Sequence, residues 1–236
     1  MLRALFGEPK RKDEGELLFV FRELDRFAAA LAAGKVRGGL SAEKVPQYAI
    51  WTHGLRDAMD ELEQSCYCAA KFAANIRSPF VEQMDEREKD DYRRYVYFYK
   101  NALIRVFSLL DKLGYFLNES FALETERVKE RFSYFTVLRR MRDRQAHPQL
   151  QQRLYELKTE YKMPLASLRK QRNMEIHYVN SELLDDLKQT SYRPGDRLRV
   201  EDVRAQTGEL EQAYRMVADT LLAVFTYMNE KAGERR

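Results

Sequence analysis

Apolar residues along this chain return at intervals of three and four, and only 10 glycines and 6 prolines punctuate its 236 residues. That spacing stacks side chains on one face of an α-helix, so the chain predicts as all-α, a bundle of about six to eight helices. The stretch Gly7–Lys12 reads as a frayed, charged arm. A first helix is expected from about Glu14 to Ala33, with Leu17, Phe19, Val20, Phe21, Leu24, Phe27 and Leu31 on a broad apolar face. Gly34 stops it, and Gly38-Gly39 marks the connection. The second helix enters at Ser41 and Lys44–Pro46 and runs to about Ile76, with Trp51, Leu55, Met59, Leu62, Cys66 and Phe72 or Ala73 as its stripe.

The mixed charges of Asp85–Asp91 read as a solvated helical face. Tyr92–Phe121 is the longest apolar-aromatic segment, and its Tyr95, Phe98, Tyr99, Phe107, Tyr115 and Phe116 are expected in the core because they recur at helical spacing. Asp111 and Lys112, charges set in the run SLLDKLGYF, must reach a partner or the surface. Further helices are expected over Glu126–Gln145, from Pro148 to about Lys162, and from Pro164 through Leu165 to about Leu184. Tyr192–Arg199 reads as a loop, and a last helix runs from Glu201 or Leu210 to Lys231. No internal repeat and no Pro/Ser/Gly-rich linker divides the chain, which predicts one helical domain over 1–236.

Charge changes little in this picture. A net charge of +4 with 33% charged residues does not by itself announce nucleic acid. No apolar run approaches the roughly 18–20 residues of a membrane span, and Met1–Glu8 is too short and too charged for a signal peptide. A soluble cytoplasmic protein is expected, with no membrane partner. Cys66 and Cys68 are two apart on a helical pattern, point to different sides and read as reduced, buried thiols. The three histidines, His53, His147 and His177, fall in no HExxH or CxxC arrangement, so neither a metal nor a cofactor is implied. His53 reads as a satisfied or solvent-facing histidine.

The chemistry concentrates in Leu168–Asn180, LRKQRNMEIHYVN. Asn173 and His177 are four apart and share a helical face. Arg172 is about 140° from His177 at roughly 100° per residue, so its side chain must lean round to reach the same groove. An imidazole can move a proton near neutral pH, and a guanidinium can hold a phosphate and stabilise charge developing on it. That combination suits metal-free phosphodiester cleavage in RNA, with Asn173 as orienting group and Arg169 and Lys170 as further anion attraction. A second pair at the same spacing, Arg142 and His147 in RDRQAH, precedes Pro148, which pushes His147 out of helical geometry. Arg139, Arg140, Arg142 and Arg144 either complement the end of their own helix or form a phosphate-contacting wall.

A late helix of an all-α domain carrying Arg-Asn-x-x-x-His resembles the HEPN superfamily (higher eukaryotes and prokaryotes nucleotide-binding domain), whose motif is Arg, a polar residue, three to five further residues and His. Phe107–Asn118, FSLLDKLGYFLN, is similar to the second-helix region of some bacterial members. The resemblance covers about 92–236, with the helices of about 14–77 packed on that portion. It implies a homodimer whose two motifs face each other across a composite, metal-independent endoribonuclease site, with Arg172, Asn173 and His177 as its catalytic residues. It also implies RNA as ligand, roles in toxin–antitoxin systems or phage defence, and an antitoxin or defence partner. Some members are modified on a tyrosine two residues after the histidine; here that position is Val179, and the tyrosine is Tyr178. The alternative is a non-catalytic helical protein that uses this run for dimerisation or nucleotide binding.

Overall fold

The computed structural model describes residues 2–35, 40–127, 132–177, 200 and 202–233, the side chains of 42, 174–177 and 233 excepted. Among these are seven α-helices and no strand: α1 (Gly15–Ala32), α2 (Val45–Ala73), α3 (Glu86–Ser120), α4 (Tyr134–Asp143), α5 (Pro148–Glu160), α6 (Lys162–His177) and α7 (Val203–Gly233). The expected loop at Tyr192–Arg199 lies outside the described residues.

Local chemistry sets most helix ends. After α1, the Gly34 N–H donates to the Leu31 carbonyl (3.0 Å) and the Lys35 N–H to that of Ala30 (2.9 Å), a Schellman closure with Gly34 at φ +64°. Phe19, counted by sequence on the α1 face, is 52% exposed, since it points about 200° away from Leu17, while Leu17, Val20, Phe21, Leu24, Phe27 and Leu31 are buried. Asp85 caps α3 by accepting the Glu88 N–H (2.8 Å). The charged stretch after it is therefore the first turn and a half of α3. Its Glu88 carboxylate turns back and accepts from the Arg77 and Ser78 N–H groups (2.5 and 2.6 Å) and the Ser78 hydroxyl (2.8 Å). Asp202 does the same for α7, accepting the Ala205 N–H at 3.0 Å, which places that helix start between the two expected positions.

The chain divides into two compact units. The first comprises residues 1–10, 62–105 and 162–214; the second comprises 11–61, 106–161 and 215–236. Boundaries thus fall inside α2, α3 and α7.

In the first unit, Leu62, Ala69, Phe72, Tyr95, Tyr99, Leu103, Leu165, Leu168 and Leu210 are buried. Here the expected frayed arm, Gly7–Lys12, has an anchor: the Glu8 carboxylate accepts from the Tyr67 hydroxyl and pairs with Lys71 (2.6 Å), while upstream of the arm Arg3 pairs with Glu63 (2.5 Å). Phe6 packs on Phe72 with ring centroids 5.3 Å apart.

The second unit is built round Phe27, Phe116 and Phe225, whose rings lie 5.4 to 6.0 Å apart. A single helix over Glu126–Gln145 does not form. A 3-10 turn covers Thr125–Arg127, and α4 begins only at Tyr134, where Ser133 and Thr136 make a capping box. Asp111 accepts the Tyr134 N–H (2.9 Å), which answers the question its position in an apolar run raised. Gly114 lies directly beneath: a Cβ there would be 2.8 Å from the Tyr134 Cα. Only glycine lets α4 start this close to α3.

Candidate functional site

Helix α6 carries the strongest sequence candidate. Pro164, in its first turn, lacks an N–H that no partner there would use, and Leu165 and Leu168 sink into the first unit. Arg169 and Lys170 are both exposed. Arg172 is half-exposed and Asn173 exposed. The Arg172 guanidinium donates to the Asn173 side-chain carbonyl from Nη2 (2.9 Å) and from Nε (3.3 Å). This bond carries the arginine head round the helix toward the azimuth of Asn173, which lies about 40° from that of His177. Among the described residues no partner takes the amide N–H groups of Asn173. His177 closes the described part of α6 in helical backbone. Its side chain, Tyr178 and Val179 lie outside the described residues.

The second unit holds the other arginine and histidine pair. Arg142 ends in α4, where its guanidinium is 3.6 Å from Asp143. Gln145 and His147 both have φ of +50°, so the chain turns a corner between the two members of this pair. His147 is the residue before Pro148 and the N-cap of α5, though its side chain makes no cap. Its ring stacks on Phe121 at 3.7 Å, and Nδ1 lies 2.8 Å from the Tyr227 hydroxyl. Burial, with Lys231 adding like charge, pulls the His147 pKa below its ordinary value.

The arginine cluster separates into two roles. Arg140 Nε donates to the Leu123 carbonyl (3.0 Å), and Arg144 donates to the Ala122 carbonyl (3.0 Å) and the Glu124 carboxylate (2.9 Å). Ala122 and Glu124 have φ of +47° and +52°, so both arginines bond the left-handed turn that ends α3. The Arg144 bond holds the Glu124 carboxyl below its ordinary pKa. Arg139 and Arg142 point outward, 76% and 59% exposed, each within 4 Å of Asp143. Sequence offered no signal for the bonds to the α3 turn, because they join residues some twenty positions apart.

Elsewhere the titratable groups offer less. His53 is exposed on α2. Cys66 and Cys68 are free, and burial raises both thiol pKa values, that of Cys68 to about 11. Among the described residues, no group of His, Cys, Asp and Glu is arranged to hold a metal ion, and no helix is long and apolar enough to cross a membrane.

A family model described as Cthe2314-like HEPN matches residues 51–229. The chain belongs to this HEPN family. The match takes in most of α2, so the HEPN region reaches upstream of Tyr92, and it includes both α6 and the corner at His147. No curated protein and no solved structure matches the chain.

Proposed function

We propose that this HEPN protein is a metal-independent endoribonuclease that works as a homodimer, with the α6 motif of each chain contributing to one composite site. The observation that carries the reading is the solvent-exposed Arg172–Asn173 bond of α6, within the HEPN match. It gathers the guanidinium and the amide toward the face that His177 shares by helical spacing. In the reaction, one His177 takes the 2′-hydroxyl proton as the 2′-oxygen attacks phosphorus. The bond to the 5′-oxygen breaks, and a second His177, from the partner chain, protonates that oxygen. The products are a 2′,3′-cyclic phosphate and a 5′-hydroxyl. Arg172 holds the non-bridging oxygens as charge builds on them, and Asn173 orients ribose or phosphate.

Arg169 and Lys170 extend the anion-attracting surface along α6. Arg139, Arg140, Arg142 and Arg144 form the RNA-facing wall in this reading, with Arg139 and Arg142 best exposed for it. The protein acts in the cytoplasm as one domain, in a toxin–antitoxin or phage-defence setting, with an antitoxin or defence partner. Under the alternative, a non-catalytic dimerisation or nucleotide-binding protein, the Arg172–Asn173 bond is a structural contact.

The deciding experiment is cleavage of RNA by purified protein in EDTA, wild type beside His177→Ala and His147→Ala, with dimerisation checked in each. Loss confined to His177→Ala is the expected result. Binding of RNA or nucleotide without cleavage by any form would instead select the alternative.

A further inference from the structure

The residue just before the motif arginine is tied into the first unit by directional bonds. Gln171, half-buried like Ser167, borders the buried stripe of α6, three residues after Leu168 and four after Ser167. Its side-chain carbonyl accepts the hydroxyl proton of Tyr99 on α3, itself only 3% exposed. Its amide N–H faces the Ser167 hydroxyl (3.4 Å) and the Glu209 carboxylate of α7 (3.5 Å), and Ser167 donates to that carboxylate at 2.7 Å. Proton direction is the same throughout. Tyr99 donates to Gln171, Gln171 to Ser167, and Ser167 to Glu209, so each member polarises the next and the chain ends on a charge.

Three helices therefore meet at one amide. Leu165 and Leu168 hold the preceding turns of α6 by apolar contact, which tolerates some rolling of a helix about its axis; directional bonds do not. We propose that Gln171 is a positioning residue: gripped by Tyr99, Ser167 and Glu209, it sets the roll of α6 and so the direction in which Arg172 and Asn173 face. Arg172 follows by 100° of helical turn, so a roll of α6 moves its guanidinium directly. Tyr95 makes the neighbouring bond, its hydroxyl donating to Gln206 of α7 (2.9 Å), and its ring stacks on that of Tyr99 at 5.6 Å. This braces Tyr99 from the far side.

The role rests on the reading of Arg172 as the phosphate-holding residue, so the test carries one arm that depends on cleavage and one that does not. Gln171→Leu keeps the volume and removes the amide. In EDTA it is expected to lower kcat for RNA cleavage about ten- to a hundredfold, with KM within about threefold. Tyr99→Phe, which removes only a hydroxyl, is expected to give a smaller kcat loss in the same direction. Glu209→Gln, which keeps an acceptor oxygen for Ser167 and Gln171, should restore near-wild-type kcat where Glu209→Ala does not. In the second arm, the Arg172 Nε–Hε resonance is assigned by its loss in Arg172→Lys, and Gln171→Leu and Tyr99→Phe should displace it. If wild type cleaves no RNA, the nuclease reading fails and the resonance alone decides the positioning role. An Arg172 resonance unmoved in both variants would overturn the positioning role, as would an unchanged kcat in an active enzyme.

Discussion

The two arginine and histidine pairs, RNMEIH in the first unit and RDRQAH in the second, have the same spacing and different fates. From Arg172 to His177 the backbone is one helix, α6. Helical repetition then dictates which side chains share a face. From Arg142 to His147 the helix ends, two residues take left-handed backbone, and a new helix begins at Pro148. The second histidine spends its ring on Phe121 and Tyr227. A motif spacing has meaning only where the chain between its members is a single element, and a proline after the histidine is enough to break that condition.

The largest test of this contrast is catalytic. His177→Ala is expected to lower RNA cleavage by about 10²–10⁴-fold, as loss of a proton-transfer group does, with the helical circular-dichroism spectrum kept. His147→Ala should retain cleavage within a few-fold; equal losses in both variants would erase the distinction between the two pairs. Arg172→Ala should follow His177→Ala, read as kcat.

The next tests ask whether the RDRQAH side is architecture. Gly114→Ala forces a methyl group to within 2.8 Å of the Tyr134 backbone and is expected to cost about 1–3 kcal/mol in urea unfolding, the usual range for overpacking. His147→Ala removes a ring stack and the bond to the Tyr227 hydroxyl. A loss of about 1–2 kcal/mol is expected, and a melting temperature equal to wild type would argue against a structural histidine.

The smallest effect is on pH dependence. The folded pKa of His147 lies below 6.5, chiefly because burial disfavours the charged ring. Below about pH 6.5 the unfolded chain therefore binds this proton more readily, and stability falls as pH drops through the folded value. The melting temperature of wild type should fall more between pH 7 and 5 than that of His147→Gln.

Much of the architecture was legible from residue order. The apolar periodicity of Leu17 to Leu31 and of Leu210 to Met228 marks α1 and α7, and Gly34 and Pro148 punctuate helices through conformational limits that belong to single residues. The Arg-Asn-x-x-x-His motif also reads directly, because its members lie within two turns of one helix. By contrast, the break between Thr125–Arg127 and α4 depends on Asp111 and Gly114 of another helix, which no local pattern near Ser133 discloses. Arg140 and Arg144 likewise looked like free cations until the turn at Ala122–Glu124 came within their reach.

The difference is one of range. Periodicity, capping and steric preference act within a few residues, so helix content, most helix limits and the motif face follow from the chain read alone. Which polar side chain meets which, as Gln171 meets Tyr99 and Glu209, depends on segments far apart in sequence being packed together. Those directional bonds are short-ranged in space and carry no mark along the chain, so only the folded tertiary structure brings them into view.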